Sequence, residues 1–305
     1  NFFTTSGFRG STEFYRNVQM VKEMAELKGK IVLGSDWRLA VHYGRGEPRS
    51  VILDKKARLS PVFFAQNYES KWVGATDGAI VNINKFLKLR TLKKHELKSD
   101  GKHEYVMSID VARSNSENNN KTSISILKIK RNDDGVISRI PLVNLINLPN
   151  GLTFTAQSIE IKRIRKIYDA KAVVVDANGL GTGLVDELLK EHIDPDTGES
   201  LGCWDTMNTN HQPELENAEQ ILYVLNSQGI NHDIIVNFID MVESGKLQLL
   251  IKIDNNDYPV NDMDYFKDNI LPYVHTDLLV EEVANLKLKQ LSSGKYTIEQ
   301  VTNRV

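Results

Sequence analysis

Apolar and polar residues alternate most regularly between residues 105 and 148. The alternation predicts strands over residues 105–111, 122–129 and 140–148. A polar, asparagine-rich stretch at 114–121 separates the first two strands, and a turn signal precedes the third at 133–135. Because consecutive strands with short connections usually pair, the pattern predicts an antiparallel meander.

The apolar spacing becomes helical after the meander. Phe154, Ile161 and Ile164 belong to a set that predicts a helix over 154–168. Residues 172–175 have no polar position and predict a strand buried on both faces, as in parallel sheets. The later pattern predicts a helix at 183–189, a helix near 232–243, a strand at 247–251 and a long helix near 276–290.

The first part of the chain also has an α/β pattern. It predicts a strand at 1–5, a helix at 13–27, a strand at 31–34 and a helix at 61–72. We expect this part to be the end of an α/β domain whose earlier strands lie outside the given sequence. A basic stretch at 85–94 and a polar stretch at 98–102 predict a linker over 85–103. The predicted domains are therefore 1–84 and 104–305.

Composition is that of an ordinary globular protein, with 305 residues of which 41% are hydrophobic and 26% charged. The sequence contains no run of about 18 apolar residues, so it predicts no membrane span. The formal net charge of −2 gives no global attraction to nucleic acid, so any DNA-binding charge must be local. Cys203 is the single cysteine of the sequence, which excludes an intrachain disulfide and a CxxC zinc site.

Two aspartates directly follow strongly apolar strands. Asp110 follows residues 105–109, and Asp176 follows residues 172–175. If these strands are neighbours, both carboxylates enter one cleft, where their mutual repulsion favours binding of a divalent cation. Oxygen ligands favour Mg²⁺ or Mn²⁺ over zinc, and one or two such ions can support phosphodiester hydrolysis. A single aspartate after a strand is a helix cap or turn residue as often as it is a functional residue. The interpretation as a metal site therefore depends on the pair.

Alternate glycines follow Asp176, at Gly179, Gly181 and Gly183. At a predicted strand-to-helix junction they indicate positive φ or close approach of backbone. A dinucleotide-binding fingerprint is the rival interpretation, but the spacing is GxGxG and the acidic residue precedes the glycines. A P-loop ATPase would need a GxxxxGK[ST] segment, which the sequence does not contain.

These motifs resemble a known family. Residues 108–112 (SIDVA) and 174–181 (VVDANGLG) are similar to the two carboxylate motifs in the nuclease domain of the large terminases of tailed bacteriophages. Residues 277–287 and 296–299 resemble the late region of the same family, and residues 59–70 resemble its linker region. Thr4, Thr5 and Ser6 are similar to the coupling motif that ends the motor ATPase.

The resemblance implies an α/β chain: a ribonuclease H-like nuclease domain, with a mixed central sheet flanked by helices, preceded by the remnant of a P-loop ATPase domain. It implies a metal-dependent endonuclease, using Mg²⁺ or Mn²⁺ at Asp110 and Asp176, that cuts concatemeric double-stranded DNA during genome packaging. The implied partners are double-stranded DNA, the small terminase subunit and the portal ring, with no membrane. The implied location is the host cytoplasm, with transient docking on the procapsid. This chain alone should not hydrolyse ATP.

The terminase family uses a third acidic residue, which we expect beyond Val305. Internal substitutes are available in the aspartates that follow the strand at 247–251, and a solvated loop is the alternative interpretation of this cluster: Asp257, Asp262, Asp264 and Asp268. If the third ligand is missing, metal binding and cutting should be weak.

Basic residues on the predicted helix 154–168 are candidates for DNA contacts: Lys162, Arg163, Arg165 and Lys166. They could contact phosphates, or they could form an ordinary solvated face. The basic stretch 85–94 has the same two interpretations. The five histidines that we considered, His103, His192, His211, His232 and His275, have no metal-ligand spacing.

Two other functions stay open from the sequence. The chain could be another ribonuclease H-like nuclease, of the resolvase or integrase type, although such enzymes need no motor remnant. It could also be a non-catalytic module that docks on DNA or on the portal ring.

Overall fold

The computed structural model describes residues 12–26, 33–58, 64, 65, 67–72, 79–112, 121–179, 181–253, 263–291, 293 and 295–300. These residues form two compact units: one contains 90–230 and 247–278, and the other contains the described residues up to 89, 231–246 and those from 279 onward. Several predicted features lie outside the described residues, namely the strand at 1–5, Thr4, Thr5, Ser6, most of the loop 114–121, Asp257 and Asp262.

The described helices have the following bounds: α1 Thr12–Ala25, α2 Trp37–His42, α3 Arg49–Arg58, α4 Ile83–Leu87, α5 Phe154–Tyr168, α6 Gly181–Leu188, α7 Ser227–Glu243, α8 Met263–Asn269 and α9 Leu271–Ala284. The strands are β1 Arg90–Leu92, β2 Glu104–Asp110, β3 Ser123–Arg131, β4 Ile137–Asn147, β5 Ala172–Asp176, β6 Trp204–Thr206, β7 Glu219–Leu225, β8 Leu247–Leu250, β9 Leu286–Gln290 and β10 Tyr296–Gln300.

The larger unit contains an eight-stranded mixed sheet in the order β1-β8-β4-β3-β2-β5-β7-β6. The strand β3 is antiparallel to both β2 and β4, which confirms the predicted meander. All other neighbouring pairs of this sheet are parallel. The carboxyl ends of β2, β5 and β7 therefore meet at one edge of the sheet.

One face of this sheet forms the hydrophobic core. Tyr105, Met107 and Ile109 of β2 are at most 2% exposed, and they pack with the inward residues of β5 and with α5 and α6. Ile161 of α5 and Leu184 of α6 are fully buried in the same cluster. Successive side chains of a strand point to opposite faces of the sheet. Burial alternates accordingly along β2 and β5, and the last residue of each strand lies on the face opposite the core.

The smaller unit contains helices and the antiparallel pair β9-β10. The prediction of one helix over 276–290 is wrong in its second half, because α9 ends at Ala284 and β9 follows. Leu286-Lys287-Leu288-Lys289 alternates with period two, and Leu288 pairs with Ile298 of β10. Cross-strand pairing of these apolar residues favours the strand.

None of the described helices is long and apolar enough to cross a membrane.

Candidate active site at the ends of two parallel strands

Asp110 and Asp176 are the last residues of neighbouring strands. The strands β2 and β5 are parallel, and their register pairs Ile109 with Val175, the residues directly before the two aspartates. Adjacent strands lie about 4.8 Å apart. The fold therefore brings both aspartates to the same edge of the sheet, with their backbones about one strand spacing apart.

Both aspartates also lie on the same face of the sheet. Ile109 and Val175 point into the core, at 2% and 0% exposure. Side chains alternate along a strand, so Asp110 and Asp176 point to the opposite face. Asp110 is exposed and Asp176 is half-buried. The arrangement places two carboxylates side by side where a ligand can reach them.

Asn178 orients the carboxylate of Asp176. Its backbone N–H and its side-chain Nδ2 donate to Oδ1 of Asp176 at 3.1 and 2.7 Å. Both bonds fix the rotation of the carboxylate. Asn178 was not among the predicted site residues, although an Asx-type turn after a strand-end aspartate is the signal that could have found it.

The glycines after Asp176 are required by the backbone. Gly179 has a φ of 59°, which favours glycine. A Cβ at Gly181 would lie 1.9 Å from the carbonyl oxygen of Asp176, and a Cβ at Gly183 would lie 2.7 Å from the ring of Phe154. The predicted positive φ and close approach are confirmed, and they allow α6 to begin directly against the end of β5.

A buried polar network holds the chain just after Asp110. The Thr122 hydroxyl accepts a hydrogen bond from the backbone N–H of Ala112 at 2.9 Å. It also lies 2.8 Å from the carbonyl oxygen of Ala112 and from Oε1 of Gln157, to one of which it donates. The Gln157 amide donates to the carbonyls of Ala112 and Leu152. Thr122 and Gln157 are each 3% exposed, so this network anchors the end of β2.

The described residues contain no group of three or more acidic, histidine or cysteine side chains that could hold a metal ion. Of the aspartates considered as a third ligand, Asp268 lies near His95 and Tyr168. Burial is the main cause of the lowered pKa of His95 and of the raised pKa of Tyr168, and the charge of Asp268 is a smaller influence on both. Tyr168 packs on Tyr105 near the start of β2, about 17 Å along the strand from Asp110. The structure therefore brings Asp268 to the other end of β2.

The donors of Asp110 and Asp176 fit a hard divalent cation. Mg²⁺ is commonly held by one or two carboxylates, while water molecules complete its octahedral shell. Both donors are oxygen atoms that neighbour each other in the sheet and are accessible to solvent. Zinc, which prefers nitrogen and sulfur ligands, is a poorer match.

The basic residues of α5 all have intramolecular partners. Arg163 pairs with Glu160, Asp194 and Asp196, and its guanidinium lowers the pKa of Asp194 to about 2. Arg165 pairs with Glu219, and Lys166 pairs with Glu199. Lys162 donates to the carbonyls of Lys190 and Gly202. Contact of these four residues with DNA phosphates stays a prediction, for which the buried Lys162 is the least suitable.

Lys162 is 1% exposed, and burial lowers its pKa to about 8. The folded state therefore disfavours the charged amine, and the protein should gain stability as the pH rises from about 8 towards the ordinary value of 10.5. Lys162→Met should remove this pH-dependent gain in the free energy of unfolding, which is on the order of 2 kcal/mol. At pH 7 the substitution should also lower the free energy of unfolding by about 2 kcal/mol, because two buried carbonyls lose their donor. Urea unfolding at pH 7 and pH 10 measures both effects.

Lys166→Met is the matched control for this prediction, because Lys166 lies one turn further along the same helix in an exposed ion pair. Its loss should change stability by about 0.5 kcal/mol or less. Equal pH dependence in Lys162→Met and in the wild type would contradict the assignment to Lys162.

Comparison with known proteins gives matches among solved structures. No family model matches the chain, and no curated protein matches its sequence. The large terminase nuclease of thermophilic phage G20c with bound magnesium is similar at 16% identity, over 73% of this chain and 88% of that chain, with a TM-score of 0.43. The same nuclease with bound cobalt matches at 16% identity over 75% and 90%, with a TM-score of 0.44. The Thermus phage P74-26 large terminase nuclease domain matches at 15% identity over 73% and 86%, with a TM-score of 0.41. At these values the likeness does not assign the chain to a family.

Proposed function

We propose that this chain contains a metal-dependent DNA endonuclease domain of the kind found in the large terminases of tailed bacteriophages. The observation that carries the proposal is the pair Asp110 and Asp176, on one face at the carboxyl ends of two adjacent parallel strands. Side-by-side carboxylates on a rigid sheet edge are the arrangement that a nuclease needs to hold divalent cations against a phosphodiester.

The strand order supports the ribonuclease H-like part of the proposal. The central strands follow the order β4-β3-β2-β5-β7, in which β3 alone is antiparallel to its neighbours. This is a three-stranded meander followed by a helix and further parallel strands, and it agrees with the ribonuclease H-like domain that the sequence resemblance implies.

In the proposed reaction, Asp110 and Asp176 hold Mg²⁺ or Mn²⁺, as one or two ions. Such an ion, when bound, activates a water molecule and neutralises charge on the phosphodiester. Asn178 keeps the Asp176 carboxylate oriented through its two hydrogen bonds. The network of Thr122 and Gln157 keeps the end of β2 in place beneath Asp110.

The biological setting is also a proposal. The substrate would be concatemeric double-stranded DNA, and the partners would be the small terminase subunit and the portal ring of a procapsid in the host cytoplasm. A third acidic ligand would come from Asp257, Asp262 or a residue beyond Val305, because the described candidates Asp264 and Asp268 belong to no group of side chains that could hold a metal ion. This part of the proposal rests on the motifs at 108–112 and 174–181.

Metal binding and removal test the proposal. Titration of the chain with Mn²⁺ in a calorimeter should give heat of binding, and supercoiled plasmid should be nicked in Mn²⁺ but not after addition of excess EDTA. A chain that binds no Mn²⁺, or one that nicks plasmid equally in EDTA, would refute the proposal.

A further inference from the structure

The two aspartates belong to a longer polar row on the sheet. Ser123, the first residue of β3, pairs directly with Asp110, and Asn147, the last residue of β4, pairs with Ser123. Paired residues of neighbouring strands share a face. Asp176, Asp110, Ser123 and Asn147 therefore form a line across the strands β5, β2, β3 and β4, which we call the polar row.

The dimensions of the polar row follow from the sheet. Four adjacent strands span three spacings of about 4.8 Å, or roughly 14 Å from Asp176 to Asn147. Ser123 and Asn147 are both half-buried at the sheet edge that carries Asp110. Within the part of the chain that the structure describes, neither side chain makes a hydrogen bond. A hydroxyl and an amide are thus presented beside two carboxylates.

Neutral donors suit this position on electrostatic grounds. A lysine or arginine beside Asp110 would form an ion pair with the carboxylate and compete with a divalent cation. Serine and asparagine can donate hydrogen bonds to phosphate oxygens without bringing a positive charge. The polar row therefore combines an anionic half that attracts cations with a neutral half that can hold an anionic phosphate.

We propose that Ser123 and Asn147 bind the phosphate backbone of the DNA strand next to the phosphodiester that is cut. The inference rests on the proposed nuclease function and adds a substrate-binding subsite to it. The site continues from Asp110 away from Asp176, so the bound strand runs across β3 and β4.

The test uses a short fluorescent DNA duplex with Ca²⁺ in place of Mn²⁺ to suppress cutting. The double variant Ser123→Ala/Asn147→Ala should bind the duplex about 10- to 100-fold more weakly, since each bond to a charged oxygen contributes roughly three- to tenfold or more. Neutral donors release no counterions, so the slope of log affinity against log salt should not change. Affinity for Mn²⁺ alone, measured by calorimetry, should stay within about twofold.

Ser138→Ala is the matched control, because Ser138 is a half-buried serine near the opposite end of β4. It should leave DNA affinity unchanged. If the wild type binds the duplex and the double variant binds it with the same affinity, the phosphate subsite is overturned. The nuclease proposal would then still stand. A parallel loss of Mn²⁺ affinity would also overturn it, because it would make these residues metal ligands. A wild-type chain that binds neither Mn²⁺ nor the duplex would refute both proposals.

Discussion

Asp110→Asn should abolish Mn²⁺-dependent cleavage, with a rate on the order of 10³-fold below the wild type, equivalent to about 4 kcal/mol of transition-state stabilisation. The asparagine keeps the size of the side chain and removes the charge that binds the cation. Asp176→Asn should have a similar effect on the rate, because its carboxylate occupies the matching place on β5. Plasmid nicking and Mn²⁺ calorimetry on both variants measure this effect.

Asp110→Asn should lower the cleavage rate but raise the stability of the metal-free protein. When no metal is bound, the two neighbouring carboxylates repel each other. Removing one charge by Asp110→Asn should therefore raise the free energy of unfolding by about 1 kcal/mol. It should also remove the increase in melting temperature that Mn²⁺ gives the wild type. A merely structural aspartate would instead lose stability on substitution, which makes the sign of the change decisive.

Asp134→Asn is the control for the loss of one negative charge. Asp134 lies exposed in the turn between β3 and β4, away from the sheet edge that carries Asp110. It should leave both cleavage and the Mn²⁺-induced stabilisation unchanged. If Asp110→Asn binds Mn²⁺ as the wild type does, Asp110 is not a ligand.

The elements with the strongest patterns were predictable from the sequence. The alternation in β2, β3 and β4 and the apolar run of β5 were found within a few residues of their ends. The strand β7 was missed, although Ile221-Leu222-Tyr223-Val224-Leu225 is an apolar run of strand length. The strands β1 and β6 have three residues each, too few to give a periodic signal.

The adjacency of Asp110 and Asp176 could be predicted, but the surroundings of this candidate site could not. Asp110 and Asp176 follow apolar runs, and their adjacency requires only that β2 and β5 pair. The partners of Thr122 and Gln157 depend on tertiary packing, which local sequence does not encode. Ser123 and Asn147 join the row only through the register of three strand pairs.

The partners of the basic residues on α5 could not be predicted from the sequence either. Along the sequence, Arg163, Arg165 and Lys166 form a cationic cluster. Their acidic partners include Asp194, Asp196, Glu199 and Glu219, which lie between 31 and 54 residues further along the chain. A local charge pattern cannot reveal neutralisation by residues so distant, whereas folding brings them within ion-pairing distance.

Gly181→Ala should be the most damaging single methyl addition near the site. The new Cβ would lie 1.9 Å from the carbonyl oxygen of Asp176, a backbone atom held within the sheet. Alanine normally favours a helix over glycine by about 1 kcal/mol, so an unhindered exchange would stabilise the protein. Here the overlap must displace the start of α6 or the end of β5, at a cost of about 3 kcal/mol or more. Urea unfolding measures the loss.

Two further glycines turn this prediction into a graded series. At Gly183 the clash is with the side chain of Phe154 at 2.7 Å, which can move, so Gly183→Ala should cost about 1 kcal/mol or less after the helical gain. At Gly34 the Cβ would meet no atom within 4 Å, and Gly34→Ala should be neutral or slightly stabilising. Because displacement at Gly181 moves the backbone of Asp176 itself, Gly181→Ala alone should also weaken Mn²⁺ binding. Equal stabilities across the three variants would mean that α6 does not begin against the end of β5.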